Sequence, residues 1–137
     1  MSEKTVEMEV GATAEYSRTV TEDDIVAFAE ISGDDNPVHL DEEYAAGTVF
    51  KGRIAHGILS LSFISTVLGT KLPGPGCIYL EQNSKFKKPV YPGDTVTAKV
   101  EVLEYDPKTG KASLATTCHN QDGALLIEGS ARILFRE

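Results

Sequence analysis

Cysteine is nearly absent: only Cys77 and Cys118 occur in 137 residues, and neither belongs to a CxxC pair. Their apolar, strand-like surroundings read as two buried thiols, not as a disulfide framework or a metal site. Basic charge is scarce as well, 13 Lys and Arg against 21 Asp and Glu, for a net charge of −8. That balance argues against nucleic acid as the main partner, because phosphate binding needs a basic face. No apolar run reaches the ~20 residues that cross a bilayer, so no membrane span is expected. The opening MSEKTVEMEV is acidic and lacks the apolar core of a secretory signal, so a cytoplasmic protein is expected. There is no internal repeat, low-complexity tract or linker. A chain of this length can bury roughly 68% of its unfolded surface, and the expectation is one domain spanning residues 1–137.

What the chain does have is the stretch 54–70, IAHGILSLSFISTVLGT. Ile58, Leu61, Ile64 and Leu68 recur at three- and four-residue spacing. Leu59, Phe63 and Val67 fill the flanks, and Ser60, Ser62, Ser65 and Thr66 are the polar breaks. A helix apolar nearly all round has to be wrapped by protein. Gly57 stands at its start, where the first unpaired backbone N–H groups favour partial negative charge.

Residues 5–20 alternate through Val6, Met8 and Val10, then continue past Gly11 to Val20, and read as a strand with a bend. Thr21 reads as a helix N-cap, with Asp24 in a capping-box position, and Ser32-Gly33 as the stop. GDDNPVHL, residues 33–40, is a turn-forming run too rich in carboxylate, amide and proline for regular structure. A short helix follows from Asp41 to Gly47. Beyond the stiff connector KLPGPG, strands are expected over 77–90, 94–105, 111–120 and 124–135, separated by YPGD, DPKTG and NQDG. Such strands after one buried helix indicate an α+β domain with a curled antiparallel sheet around that helix.

Asp34 and His39 are the candidate chemical pair. Five positions apart on a proline-stiffened turn, a carboxylate and an imidazole can converge on one small molecule such as water. The alternative is structural, with Asp34 capping the turn and His39 a satisfied surface histidine. His56 beside Gly57 reads as a packing or hydrogen-bonding residue. His39 and Asp41 form no recognised ligand spacing, His119 lies on a distant strand, and no metal is called for. Arg53, Lys85, Lys87 and Lys88 are candidate anion contacts, or else a solvated charged edge.

The segment FAEISGDDNPVHLDEEYA, residues 28–45, resembles the signature of the MaoC-like (R)-specific enoyl-CoA hydratases. GRIAHGILSLSFIS, LPGPGCIYLEQNSKFKKPVYPGD and the terminal strands extend the likeness over nearly the whole chain, to the small single-domain type that supplies polyhydroxyalkanoate synthesis. The resemblance implies a hot-dog fold, an antiparallel sheet wrapped round a long central helix with an overhanging active-site segment. It implies Asp34 and His39 as the catalytic pair, Asn36 and Pro37 as loop-shaping residues, and Gly57 as the glycine whose N–H meets the thioester carbonyl. Ser65, Leu68 and Ile133 would border the acyl pocket and favour short chains, while Arg53, Lys85 and Lys87 would meet the phosphates of CoA.

The implied activity is reversible hydration of trans-2-enoyl-CoA to (R)-3-hydroxyacyl-CoA by a homodimer, with no cofactor. Rival readings are a 3-hydroxyacyl-ACP or other acyl-thioester dehydratase and a non-catalytic acyl-CoA-binding domain. The latter would expect Asp34 or His39 to be replaced, and neither is.

Overall fold

A computed structural model describes residues 7–136 of the chain. Strand β1 (Thr13–Thr19) is followed by helices α1 (Glu22–Ser32), α2 (Pro37–Leu40), α3 (Glu42–Ala46) and α4 (Gly57–Thr70). Strands β2 (Ile78–Phe86), β3 (Thr95–Tyr105), β4 (Lys111–His119) and β5 (Leu125–Leu134) complete the chain. All pairings are antiparallel, in the order β1-β3-β4-β5-β2. The sheet curls around α4, and the expected hot-dog arrangement is present.

Alternation builds the inner face of the sheet. Val96, Ala98, Val100 and Val102 of β3, and Ala112, Leu114, Thr116 and Cys118 of β4, are buried while their neighbours are not. Thr116 is the polar exception, and the Gln82 amide donates to its hydroxyl at 3.0 Å. At Gly129 of β5 a Cβ would stand 1.9 Å from the Asn83 carbonyl oxygen, so β2 and β5 approach as closely as they do only because no side chain intervenes.

The helix packs less symmetrically than its sequence predicts. Leu59, Phe63, Ile64, Val67 and Leu68 are buried, so three residues assigned to the flanks belong to the core, whereas Ile58 is 55% exposed. The turn of the helix that carries Ile58, Leu61, Ser62 and Ser65 borders an open groove of about 380 Å³ against Tyr79 and Leu80 of β2. That side of α4 is therefore left open by the sheet.

Two further expectations change. The first strand covers only Thr13–Thr19: Gly11, at φ +92°, turns the chain, Met8 is buried outside the sheet and Val10 is exposed. Val6 lies outside the described residues. Within residues 33–40, Pro37–Leu40 forms one helical turn, because Pro37 sits at N1, where a missing N–H costs nothing, and Asn36 Oδ1 accepts from Val38 N at 3.2 Å. The Thr21 capping box is present in full, with Asp24 N donating to Thr21 Oγ1 and Thr21 N to Asp24 Oδ2, both at 3.1 Å.

Candidate active site

The segment after α1 is held by short-range bonds. Gly33 ends the helix in the left-handed region at φ +81°, its N–H donating to Ala29 O. Ser32 Oγ donates to Phe28 O at 2.6 Å and accepts from Asp34 N at 3.1 Å. Asp34 Oδ1 accepts from Asn36 N at 3.3 Å, so the carboxylate caps its own turn while staying exposed. Asn36 and Pro37 then turn the chain so that His39 points inward, only 8% exposed.

His39 Nδ1 lies 2.7 Å from the main-chain oxygen of Ile54. A carbonyl can only accept, so Nδ1 carries the hydrogen and Nε2 of the neutral ring keeps a lone pair for an incoming proton. His56, 2% exposed, stacks on His39 with centroids 3.8 Å apart and planes at 25°. Asp34, His39 and His56 each offer a polar atom within 4.8 Å of the others. The two rings are a poor chelate: in-plane lone pairs of nearly parallel stacked rings cannot converge on one ion at the ~2.0–2.1 Å of a zinc–imidazole bond.

His56 is the N-cap residue of α4, yet its side chain makes no cap bond. The leading N–H groups of the helix, at Gly57 and Ile58, are therefore available to an anion or a polarised carbonyl. A Cβ on Gly57 would fall 2.7 Å from the ring of Phe86, so glycine is what lets that ring cover the helix start. Ile54, Ala55, Gly57 and Ser60 line one side of a cavity of about 390 Å³, and Phe86, Leu126 and Ile127 line the other. Ser60 Oγ is buried with no hydrogen-bond partner among the described residues, unlike Ser62, Thr66 and Thr70, which bond back to the helix backbone.

Other expected residues are dispersed. Leu68 and Ile133 are sealed in the core, at 1% and 0% exposure, and Ser65 lies on the open groove beside β2, so the three do not border one pocket of this chain. Neither Leu68 nor Ile133 is among the residues lining the two spaces that flank α4. Arg53 is engaged by Glu22 and, at 3.1 Å, by Glu42, which hold its pKa above the ordinary arginine value; it ties α1 to α3. Strand β2 ends before Lys87, which with Lys88 lines the cavity and lies 3.4 Å from Glu128. Lys85 is exposed and is not part of that wall. Burial pushes the Cys77 thiol up to about 11 and the Cys118 thiol to about 12, so neither is a thiolate nucleophile near neutral pH.

Known proteins share this chain's sequence pattern and fold. The family model "MaoC like domain" matches residues 3–122. An (R)-specific enoyl-CoA hydratase of Rhodospirillum rubrum is 52% identical over 124 residues, covering 90% of this chain and 85% of that protein. A 3-hydroxybutyryl-CoA dehydratase of Methylorubrum extorquens is 47% identical over 127 residues, covering 93% and 80%. The solved structure of an (R)-hydratase from Aeromonas caviae involved in PHA biosynthesis superposes with a TM-score of 0.90 at 44% identity, covering 93% of this chain and 97% of that one.

Proposed function

This chain belongs to the MaoC-like domain family, and we propose that it catalyses the reversible, (R)-specific hydration of trans-2-enoyl-CoA to (R)-3-hydroxyacyl-CoA. One observation carries the reading. Asp34, His39 and His56 each offer a polar atom within 4.8 Å of the others, and His56 immediately precedes Gly57, the helix start that lines an apolar cavity.

Hydration needs a base, a proton source and a donor for the enolate oxygen. Water held between the Asp34 carboxylate and His39 Nε2 loses a proton to that pair as its oxygen bonds to C3. The C2=C3 electrons move onto C2 and the thioester, and the enolate oxygen is met by the N–H at Gly57. Return of a proton to C2 from the same pair completes the addition with no net change in the enzyme. Losing such an oxyanion donor typically costs ~3–4 kcal/mol in the transition state.

The acyl tail lodges in the cavity beside Gly57, whose volume of about 390 Å³ suits short chains. Leu126 and Ile127 form its far wall, and Leu68 and Ile133 support the core behind the helix. Lys87 and Lys88 stand on the wall of the same cavity and meet the polar part of CoA, a role that Arg53, held by two carboxylates away from that wall, does not share. The apolar face left open by one protomer, Ile58 and Leu61 with Tyr79 and Leu80, is covered by a second copy in a homodimer. Among the described residues no helix is long and apolar enough to cross a membrane. Two free thiols fit a reducing, cytoplasmic setting, where the product would serve storage-polymer synthesis.

The test is loss of enoyl absorbance with crotonyl-CoA, followed by chiral analysis of the product. Formation of (R)-3-hydroxybutyryl-CoA is expected. The (S) product, or no turnover by folded protein, would sink the proposal.

A further inference from the structure

His56 is a buried titratable residue that the reaction scheme leaves without a role, and three elements converge on it. Its Nε2 lies 2.9 Å from the main-chain oxygen of Asp34, 22 positions earlier in the chain. Because that oxygen only accepts, Nε2 carries the hydrogen and donates it. One face of the ring stacks on His39 at 3.8 Å, and the edge of Phe28 from α1 meets it at 4.8 Å and 62°. Its Nδ1 is buried with no partner among the described residues. His56 thus touches both members of the candidate pair, the backbone of one and the ring of the other, without turning a free N–H toward the cavity as an acid would.

The Asp34 loop has few other anchors. Its bonds to Ser32 and Asn36 are local, spanning two residues each, and residues 33–37 are exposed. Local bonds shape such a turn but do not fix where it stands relative to α4. The long-range bond from His56 does, since His56 immediately precedes Gly57 and so rides on the helix start.

We propose that His56 is a positioning residue: by donating Nε2–H to the Asp34 carbonyl and bracing the His39 ring, it holds carboxylate and imidazole in register with the Gly57 N–H. The inference rests on the hydratase reading of this site. Displacing a reacting group by ~1 Å can cost on the order of 10²-fold in rate, so the bond to Asp34 is the feature that sets kcat.

His56→Phe keeps a ring against His39 and removes the donor, and His56→Leu is a second donorless variant should the first fail to fold. His56→Gln keeps an N–H donor and removes the ring. Expected for the donorless variants is a fall in kcat of about 10- to 100-fold on crotonyl-CoA with KM within about twofold of wild type. His56→Gln should recover most of that loss.

Hydrogen exchange supplies a readout independent of turnover. The His39 amide, bonded to the Asn36 carbonyl at 3.0 Å in a buried residue, should exchange at least about tenfold faster in His56→Phe, while amides of β3 and β4 keep wild-type rates. Wild-type kcat in His56→Phe, an equal loss in His56→Gln, or an unchanged His39 amide exchange rate would each overturn the role. A wild-type protein inert toward crotonyl-CoA would instead remove the hydratase reading, and the exchange rates would still decide whether His56 holds the loop.

Discussion

The overhang of residues 33–57 and the β3–β4–β5 sheet solve different problems. In the sheet, inner side chains are buried and, Thr116 apart, apolar, Val96, Val100, Leu114, Ala131 and Ile133 among them at 0% exposure, and the pairings are continuous apart from single irregularities. In the overhang almost every positioning contact is polar: Ser32 to Asp34, Asn36 to Val38, His39 to Ile54 and His56 to Asp34. Apolar burial is non-directional and accumulates with area, so it secures the fold without aiming any one atom. Hydrogen bonds each contribute only ~0.5–1.5 kcal/mol net, but they fix direction, which is what an acid–base pair requires. The two regions should therefore fail separately, one losing rate and the other losing stability.

The sharpest form of that separation is Asp34→Asn and His39→Gln. Each should lower kcat by ~10²–10⁴-fold while thermal unfolding stays close to wild type, because neither side chain belongs to the apolar core. Either variant retaining more than about a tenth of the wild-type rate would withdraw that residue from general acid–base catalysis.

The mirror experiment is Leu114→Ala, which should cost about 2–5 kcal/mol in denaturant unfolding by removing buried volume and leave kcat per folded molecule unchanged. A large rate loss there, with stability intact, would erase the distinction between the regions. Leu68→Ala and Ile133→Ala belong with it: both should destabilise by a similar ~2–5 kcal/mol. The ratio of kcat/KM for eight-carbon over four-carbon substrates should then follow Ile127→Ala instead.

A smaller effect tests the rim of the cavity. Replacing Lys87 and Lys88 together by Ala should raise KM for crotonyl-CoA several-fold at low salt. The effect should shrink once the Debye length falls to about 8 Å at physiological ionic strength, with kcat unaltered. An unmoved KM at low salt would return these lysines to the role of a solvated edge. Smallest of all, Thr21→Ala should cost ~1 kcal/mol through the lost N-cap, read as a shift of the unfolding midpoint with no change in turnover. A rate effect would mean that α1 transmits strain to the Asp34 loop.

Local chemistry was legible wherever a few neighbouring residues decide the outcome. Thr21 and Asp24 form the capping box their spacing predicts, Gly33 stops α1, Gly47 ends α3, and the turns YPGD, DPKTG and NQDG separate the strands. Two local misreadings have local causes: Gly11 turns the chain so that the first strand starts only at Thr13, and Pro37, weighed as a breaker, starts a helical turn over residues 37–40 when it sits at N1. Facing was legible only in part. Ile58 is as apolar as Ile64, and spacing alone placed both inside, yet one is 55% and the other 0% exposed, because the sheet covers α4 on some sides and leaves one open.

Sequence by itself determined that this chain folds as an α+β domain around one apolar helix, that Asp34 and Asn36 lie on a turn after α1, and that Gly57 starts the central helix. Caps, turns and alternation act over a few residues, and their physics is contained in those residues. Tertiary structure alone decided the rest. Arg53 is neutralised by Glu22, 31 positions away, Leu68 and Ile133 are buried in the core, the Ser60 hydroxyl at the cavity has no partner among the described residues, and His56 reaches the Asp34 carbonyl. Each of these depends on which distant groups the closed sheet brings to within about 3–4 Å, the range over which hydrogen bonds and van der Waals contacts act, and no local pattern of residues encodes that proximity.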